Sequence, residues 1–228
     1  MLRIAITRAQ PEAEKTAARV KQSGAEPVLA PLLSIEPRQF DTNIADAQAL
    51  LFTSSNGVHG FAGQTGARNV AVFAVGESTA AAARAAGFAD VRSADGDVVA
   101  LAKLVQASLD PHAGALIHIS GRHIAGDLAQ SLRAAGFQVE RRIAYEAVAA
   151  TRLPKAFEAP LDVVLFHSAR AAEVFVRLGA EKAAGLRAAC FSAAVAQAAS
   201  AAPWAALAVA KAPREQALIE AALGLSSP

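Results

Sequence analysis

Six short polar turns in this 228-residue chain carry residue types suited to holding an anion: Thr7-Arg8, Thr53-Ser54-Ser55-Asn56, Gly76-Glu77-Ser78-Thr79, Ser120-Gly121-Arg122, His167-Ser168-Ala169-Arg170 and Ser192. Each follows a short apolar run and precedes a helical pattern, so each is expected where the carboxyl end of a strand meets a helix N-terminus. Unpaired N–H groups and the positive end of the helix dipole favour a bound carboxylate there, by about 0.3 to 1 kcal/mol per helix end. Arg8, Arg122 and Arg170 add planar guanidinium groups able to grip a carboxylate through two hydrogen bonds. Ser, Thr and Asn are also the preferred N-caps, so each turn taken singly has an equally good structural explanation. Taken together, the six turns point to a small polyanion.

Other chemistry is sparse. Tyr145, the only tyrosine, is either a proton donor or ligand partner, or an aromatic packed at a hinge. His59, His112, His118, His123 and His167 form no HExxH or Cys/His spacing, so no metal is expected. There is no GxSxG elbow, no Walker loop and no strand-following GxGxxG, which argues against covalent hydrolysis and nucleotide binding. Asp95, Asp97 and Asp127 have the spacing of helix caps. The single cysteine, Cys190, sits in an apolar run and reads as a core residue.

The elements that must position these turns alternate, with helices between most of the strands. Apolar runs at 2–6, 26–30, 49–53, 70–75, 91–92, 115–119, 138–145, 163–166, 188–191 and 207–210 read as strands. Helical periodicity occupies 11–23, 56–62, 78–86, 98–109, 125–135, 169–178, 194–201 and 214–223. Near-continuous apolar strands separated by helices indicate α/β architecture with doubly wound parallel sheets, about five strands to each of two lobes. Two segments break the rhythm, 31–40 and 141–154, and read as the linkers between lobes.

The chain also repeats itself. Residues 52–61 (FTSSNGVHGF) return as 166–175 (FHSARAAEVF), Thr7-Arg8 answers to Ser120-Gly121-Arg122, and Gly24 answers to Gly136, giving copies at about 2–109 and 115–223. Two similar lobes facing a shared cleft are expected. A net charge of +2 and a pI near 8.9, with basic residues spread over both halves, lack the dense cationic face of a nucleic-acid binder. The uncharged stretch at 189–210 carries Ser192, Gln197, Ser200 and Pro203, so strand and helix explain it better than a membrane span. The N-terminus shows no signal-peptide pattern, and a cytoplasmic location is expected.

In order and spacing, several segments resemble the uroporphyrinogen-III synthase family. IAITRAQPEA resembles its opening strand and Thr-Arg turn, FTSSNGVHGF its Phe-Thr-Ser-x-Asn segment, and FAVGESTAAAA its Val-Gly-x-x-Thr-Ala segment. ISGRHIAGDLAQSLRAAGFQVERRIAYEA is similar to its Gly-Arg to Tyr pattern, and VLFHSARAAEVF to its second Phe-x-Ser turn. The resemblance implies flavodoxin-like lobes, the first from 1–33 plus 147–228 and the second from 36–145, with linkers at about 31–40 and 141–154 becoming a pair of strands.

It also implies a cofactor-free lyase that closes hydroxymethylbilane to uroporphyrinogen III, with loss of water and inversion of the terminal ring, in haem biosynthesis. By this resemblance Tyr145 assists hydroxyl departure. By the same resemblance Ser54, Ser55, Asn56, Ser120, Gly121, Arg122 and Ser168 would occupy ligand-facing turns and Thr79 would lie near the cleft, and the pattern of strand-end turns adds Thr7, Arg8, Gly76, Ser78, Arg170 and Ser192 as substrate-binding candidates. Ala193-Ala194-Val195 departs from the pattern, since many relatives place a hydroxyl residue after the serine. A monomer is expected, with at most transient contact with the preceding pathway enzyme. The alternative is a non-enzymatic two-lobed sensor of a small polyanion.

Overall fold

The computed structural model describes residues 1–124 and 126–225; the expected helix start at Ala125 lies outside the described residues. The chain divides into two compact units, Met1–Ser34 with Val148–Pro228, and Ile35–Ala147.

The first unit is built on a five-stranded sheet of β1 (Arg3–Ile6), β2 (Glu26–Leu29), β9 (Val163–Phe166), β10 (Arg187–Cys190) and β11 (Ala206–Val209), in the order β11-β10-β9-β1-β2. All four pairings are parallel, with Ile4 beside Val163 and Ala5 beside Val28. Alternation along each strand divides the core between two faces. Ile4, Ile6, Val163 and Leu165 join α1 (Glu12–Gln22) and α8 (Glu215–Gly224) on one side. Ala5, Val164 and Phe166 join α6 (Ala169–Gly179) and α7 (Ala193–Ala199) on the other. Pro27 is tolerated within β2 because that strand is an edge.

The second unit has six strands: β3 (Leu33–Pro37), β4 (Ala47–Phe52), β5 (Ala71–Ala74), β6 (Val91–Ser93), β7 (Ala115–Gly121) and β8 (Val139–Ala149), ordered β3-β8-β7-β4-β5-β6. Ala49, Leu51 and Leu116 face α4 (Val98–Ser108) and α5 (Leu128–Ala134). Leu50, Phe52, Ile117 and Ile119 face α2 (Ser55–Ala62), and Ala83 of α3 (Glu77–Ala85) lies in the same cluster. The strand β3 is the addition to the expected five. Its segment reads as linker in the sequence because Pro37 ends it and its residues are half-exposed, which an edge strand permits.

Taken as β6-β5-β4-β7-β8 and β11-β10-β9-β1-β2, the two sheets have one spatial order of equivalent strands. The ten-residue repeat has a packing cause: Phe52 meets Phe61 edge-on at 6.3 Å and 73°, and Phe166 meets Phe175 at 5.7 Å and 68°. In each unit the last strand residue thereby locks the following helix onto its sheet. Cys190 is fully buried, and burial pushes its thiol up to about 12, which leaves it inert.

Candidate functional site

In the second unit, the carboxyl ends of β4, β5 and β7 surround a cavity of about 460 Å³. Thr53 and Ser54 line it after β4, Val75 after β5, Asp97 and Val98 at the head of α4, and Gly121, His123, Ile124, Gly126 and Tyr145 along the remaining wall. That volume falls in the range of small-molecule sites.

Tyr145 reaches this wall through a local irregularity. Along β7 and β8, Ser120 pairs with Ile143 but Gly121 pairs with Tyr145, so β8 carries one extra residue at Ala144. Such a bulge re-aims the side chain that follows it. The phenol ring then lies directly on Gly121, where an added Cβ would stand 2.7 Å from Cζ and 3.0 Å from the hydroxyl oxygen. Gly121 is therefore a space requirement of the tyrosine, and no side chain there is free to meet a ligand.

Arg141 fastens the same corner. Its Nε donates to Ser120 Oγ at 2.9 Å, and its Nη2 donates to the carbonyls of Gly121 at 2.6 Å and Arg122 at 2.8 Å. Ser120 is buried, and its hydroxyl also approaches the Gly121 carbonyl, so this residue holds the turn from within. Arg122 forms an ion pair at 3.0 Å with Glu146, which also pairs with Arg38. Those hydrogen bonds, Arg38 first, hold the Glu146 carboxyl below its ordinary range.

The helix heads are mostly capped from within the chain. Ser54 accepts from the Asn56 N–H at 3.1 Å, Ser168 from Ala171 at 3.2 Å and Ser192 from Val195 at 3.4 Å. Asp97 accepts from Val99 and Ala100, and Asp127 from Gln130. The Ala100 N–H is the main cause of a lowered Asp97 carboxyl, so a carboxylate stands at the cavity edge. Gly76 gives α3 no side-chain cap, which leaves the first N–H groups of that helix open. Ser78 there is exposed and Thr79 buried, and the Thr79 hydroxyl makes no hydrogen bond among the described residues. Ser55 is buried in the first turn of α2, beside a half-exposed Asn56.

The carboxyl edge of the first unit is differently furnished. Thr7 is fully buried and donates to the Leu165 carbonyl at 2.7 Å, so its hydroxyl joins β1 to β9 and is not presented to a ligand. Arg8 lies 3.2 Å from Glu215 and 3.8 Å from Glu12, so its charge is met by the chain's own carboxylates and is not a free grip. Glu215 also accepts from Thr16 at 2.6 Å and meets His167 Nε2 at 3.1 Å. Burial would raise Glu215, but His167, Thr16 and Arg8 outweigh it and hold the carboxyl down at about 2. Burial pushes His167 below its usual value, more strongly than the hydrogen bond and charge of Glu215 lift it. Arg170 alone among the three expected arginines keeps a terminal nitrogen buried without a partner among the described residues.

The sequence singles out Ser54 and Gly121 in polar turns and Tyr145 at the end of a strand, and folding brings all three to one cavity; local pattern passes over Asp97 as a site residue, Arg141 and the buried His118. Alternation along β7 offers a signal for the last, since His118 shares a face with Leu116. Among the described residues no group of three His, Cys, Asp or Glu side chains is gathered as a metal would need, and no helix is long and apolar enough to cross a membrane.

Solved structures share this architecture. The uroporphyrinogen-III synthetase of Helicobacter pylori superposes with a TM-score of 0.69 at 17% identity, covering 99% of this chain and 100% of that one. A mutant uroporphyrinogen III synthase from the extremely thermophilic bacterium Thermus thermophilus does so at 0.57 and 16% identity, covering 99% and 98%. At these identities the likeness is one of fold. No curated protein matches significantly. The family model described as uroporphyrinogen-III synthase HemD matches residues 14–220, and over that extent the chain belongs to the uroporphyrinogen-III synthase family.

Proposed function

We propose that this protein closes linear hydroxymethylbilane to uroporphyrinogen III, releasing water and inverting the terminal ring. Family membership supports the class of activity, and the observation that carries the finer reading is the phenol of Tyr145 laid over Gly121 on the wall of a 460 Å³ cavity. Departure of the substrate hydroxyl breaks a carbon–oxygen bond and leaves a cation. A phenol O–H donated to that oxygen eases its loss as water, a kind of assistance worth about 10²-fold or more in rate. The cation closes without inversion unless the terminal ring is restrained, so positioning carries much of the catalysis. Open N–H groups at the head of α3 supply a dipole end for the ring carboxylates.

Freshly made hydroxymethylbilane, incubated with the protein and analysed for type I and type III isomers, tests the reading. Type III should dominate, and Tyr145→Phe should slow its formation about 10²-fold while weakening product binding far less. An unchanged rate in that variant removes Tyr145 from the reaction, and type I product alone removes the activity.

A further inference from the structure

Behind the cavity wall, His118 is 2% exposed in the middle of β7, paired beside Leu51 of β4. Its Nε2 lies 3.2 Å from Oγ1 of Thr53, a cavity-lining residue, while its Nδ1 is buried with no partner among the described residues. Burial first, and then the charge of Arg141, push the imidazole down to about 4 against a weaker opposing effect of Asp127. The ring is thus neutral near pH 7 and carries one N–H.

Two arrangements satisfy the contact. With the proton on Nδ1, Thr53 must donate to Nε2, and a buried N–H is left without an acceptor, a defect that carries the full desolvation penalty of the group. With the proton on Nε2, the ring donates to Thr53 and only a lone pair goes unmatched, the more readily tolerated of the two defects. That tautomer is also the one histidine side chains prefer in water. A threonine oxygen already accepting from the ring turns its own proton elsewhere, and Thr53 is one of the residues that line the cavity.

We infer that His118 is a positioning residue that fixes the Thr53 hydroxyl as a donor into the cavity, where it binds a carboxylate of the substrate. The inference rests on the proposed reading that this cavity takes the substrate. It makes Thr53 a specificity element for an acidic side group and gives a buried histidine a role that needs no proton transfer.

Nitrogen NMR of protein labelled at its histidines reads the tautomer directly, without activity. At neutral pH the His118 ring should show Nε2–H and a bare Nδ1; a proton on Nδ1 overturns the inference. Kinetically, Thr53→Val should raise KM about tenfold with kcat within about twofold, and Thr53→Ser should restore KM. His118→Gln keeps an N–H donor near the same place and should stay close to the parent. His118→Leu should copy Thr53→Val and add nothing when combined with it. Should Thr53→Val leave KM unchanged while Tyr145→Phe still slows the reaction, the inference fails and the cavity reading stands. If both variants are silent, the cavity reading fails and carries the inference with it.

Discussion

Gly121 illustrates how a residue without a side chain can set the position of one with chemistry. The Cβ of an alanine would fall 2.7 Å from the Tyr145 ring, closer than any packed carbon can remain, and that ring is held in place by the pairing of β8. Gly121→Ala should therefore displace the phenol and lower the rate of type III formation to nearly that of Tyr145→Phe. The double variant should be no slower, and overpacking should cost about 1–3 kcal/mol in a urea melt. A double variant much slower than either single one would mean that the two residues act separately. Arg8 shows the opposite limit of sequence reading. Its place after β1 is plain from local pattern, but its partner Glu215 lies 207 residues away, and only folding reveals that the charge is already met.

At the scale of elements, the strand and helix pattern is legible because strands buried on both faces read as short continuous apolar runs, whereas helices buried on one face repeat at 3.6 residues. The exception, β3, has neither signal: it is a half-exposed edge whose last residue is proline. Helix starts are legible through their caps, and capping is what Ser54, Ser168 and Ser192 do in three of the six polar turns. Asp97 offers a clean measure, since it accepts from two N–H groups of α4. Asp97→Ala, which removes that cap, should lower Tm by about 2–4 °C. Asp97→Asn, which retains the acceptor, should lose much less, and equal losses would exclude capping as the cause.

For the whole molecule, the division into Met1–Ser34 with Val148–Pro228, and Ile35–Ala147, makes one unit continuous in sequence and the other not. A fragment of residues 35–147 retains nearly all of its six-stranded sheet and both of its cores. It should fold alone, with a cooperative urea transition followed by circular dichroism. A fragment of residues 148–228 lacks β1 and β2, leaves one side of β9 unpaired, and should stay unfolded until residues 1–34 are supplied. A cooperative transition in the isolated 148–228 fragment would contradict this account.

The amino-acid sequence by itself determined the α/β alternation, the repeated strand-and-helix unit with its paired phenylalanines, and the turns at which polar side chains stand, because each follows from burial and capping within a few residues. It left open which strands become neighbours, since two contiguous halves and a discontinuous pair produce the same alternation. Tertiary pairing decided that β1 lies beside β9, with Ile4 against Val163. It also decided which charges neutralise one another, and that one extra residue in β8 brings Tyr145 over Gly121. Those outcomes depend on contacts between residues far apart in the chain, to which local periodicity is blind.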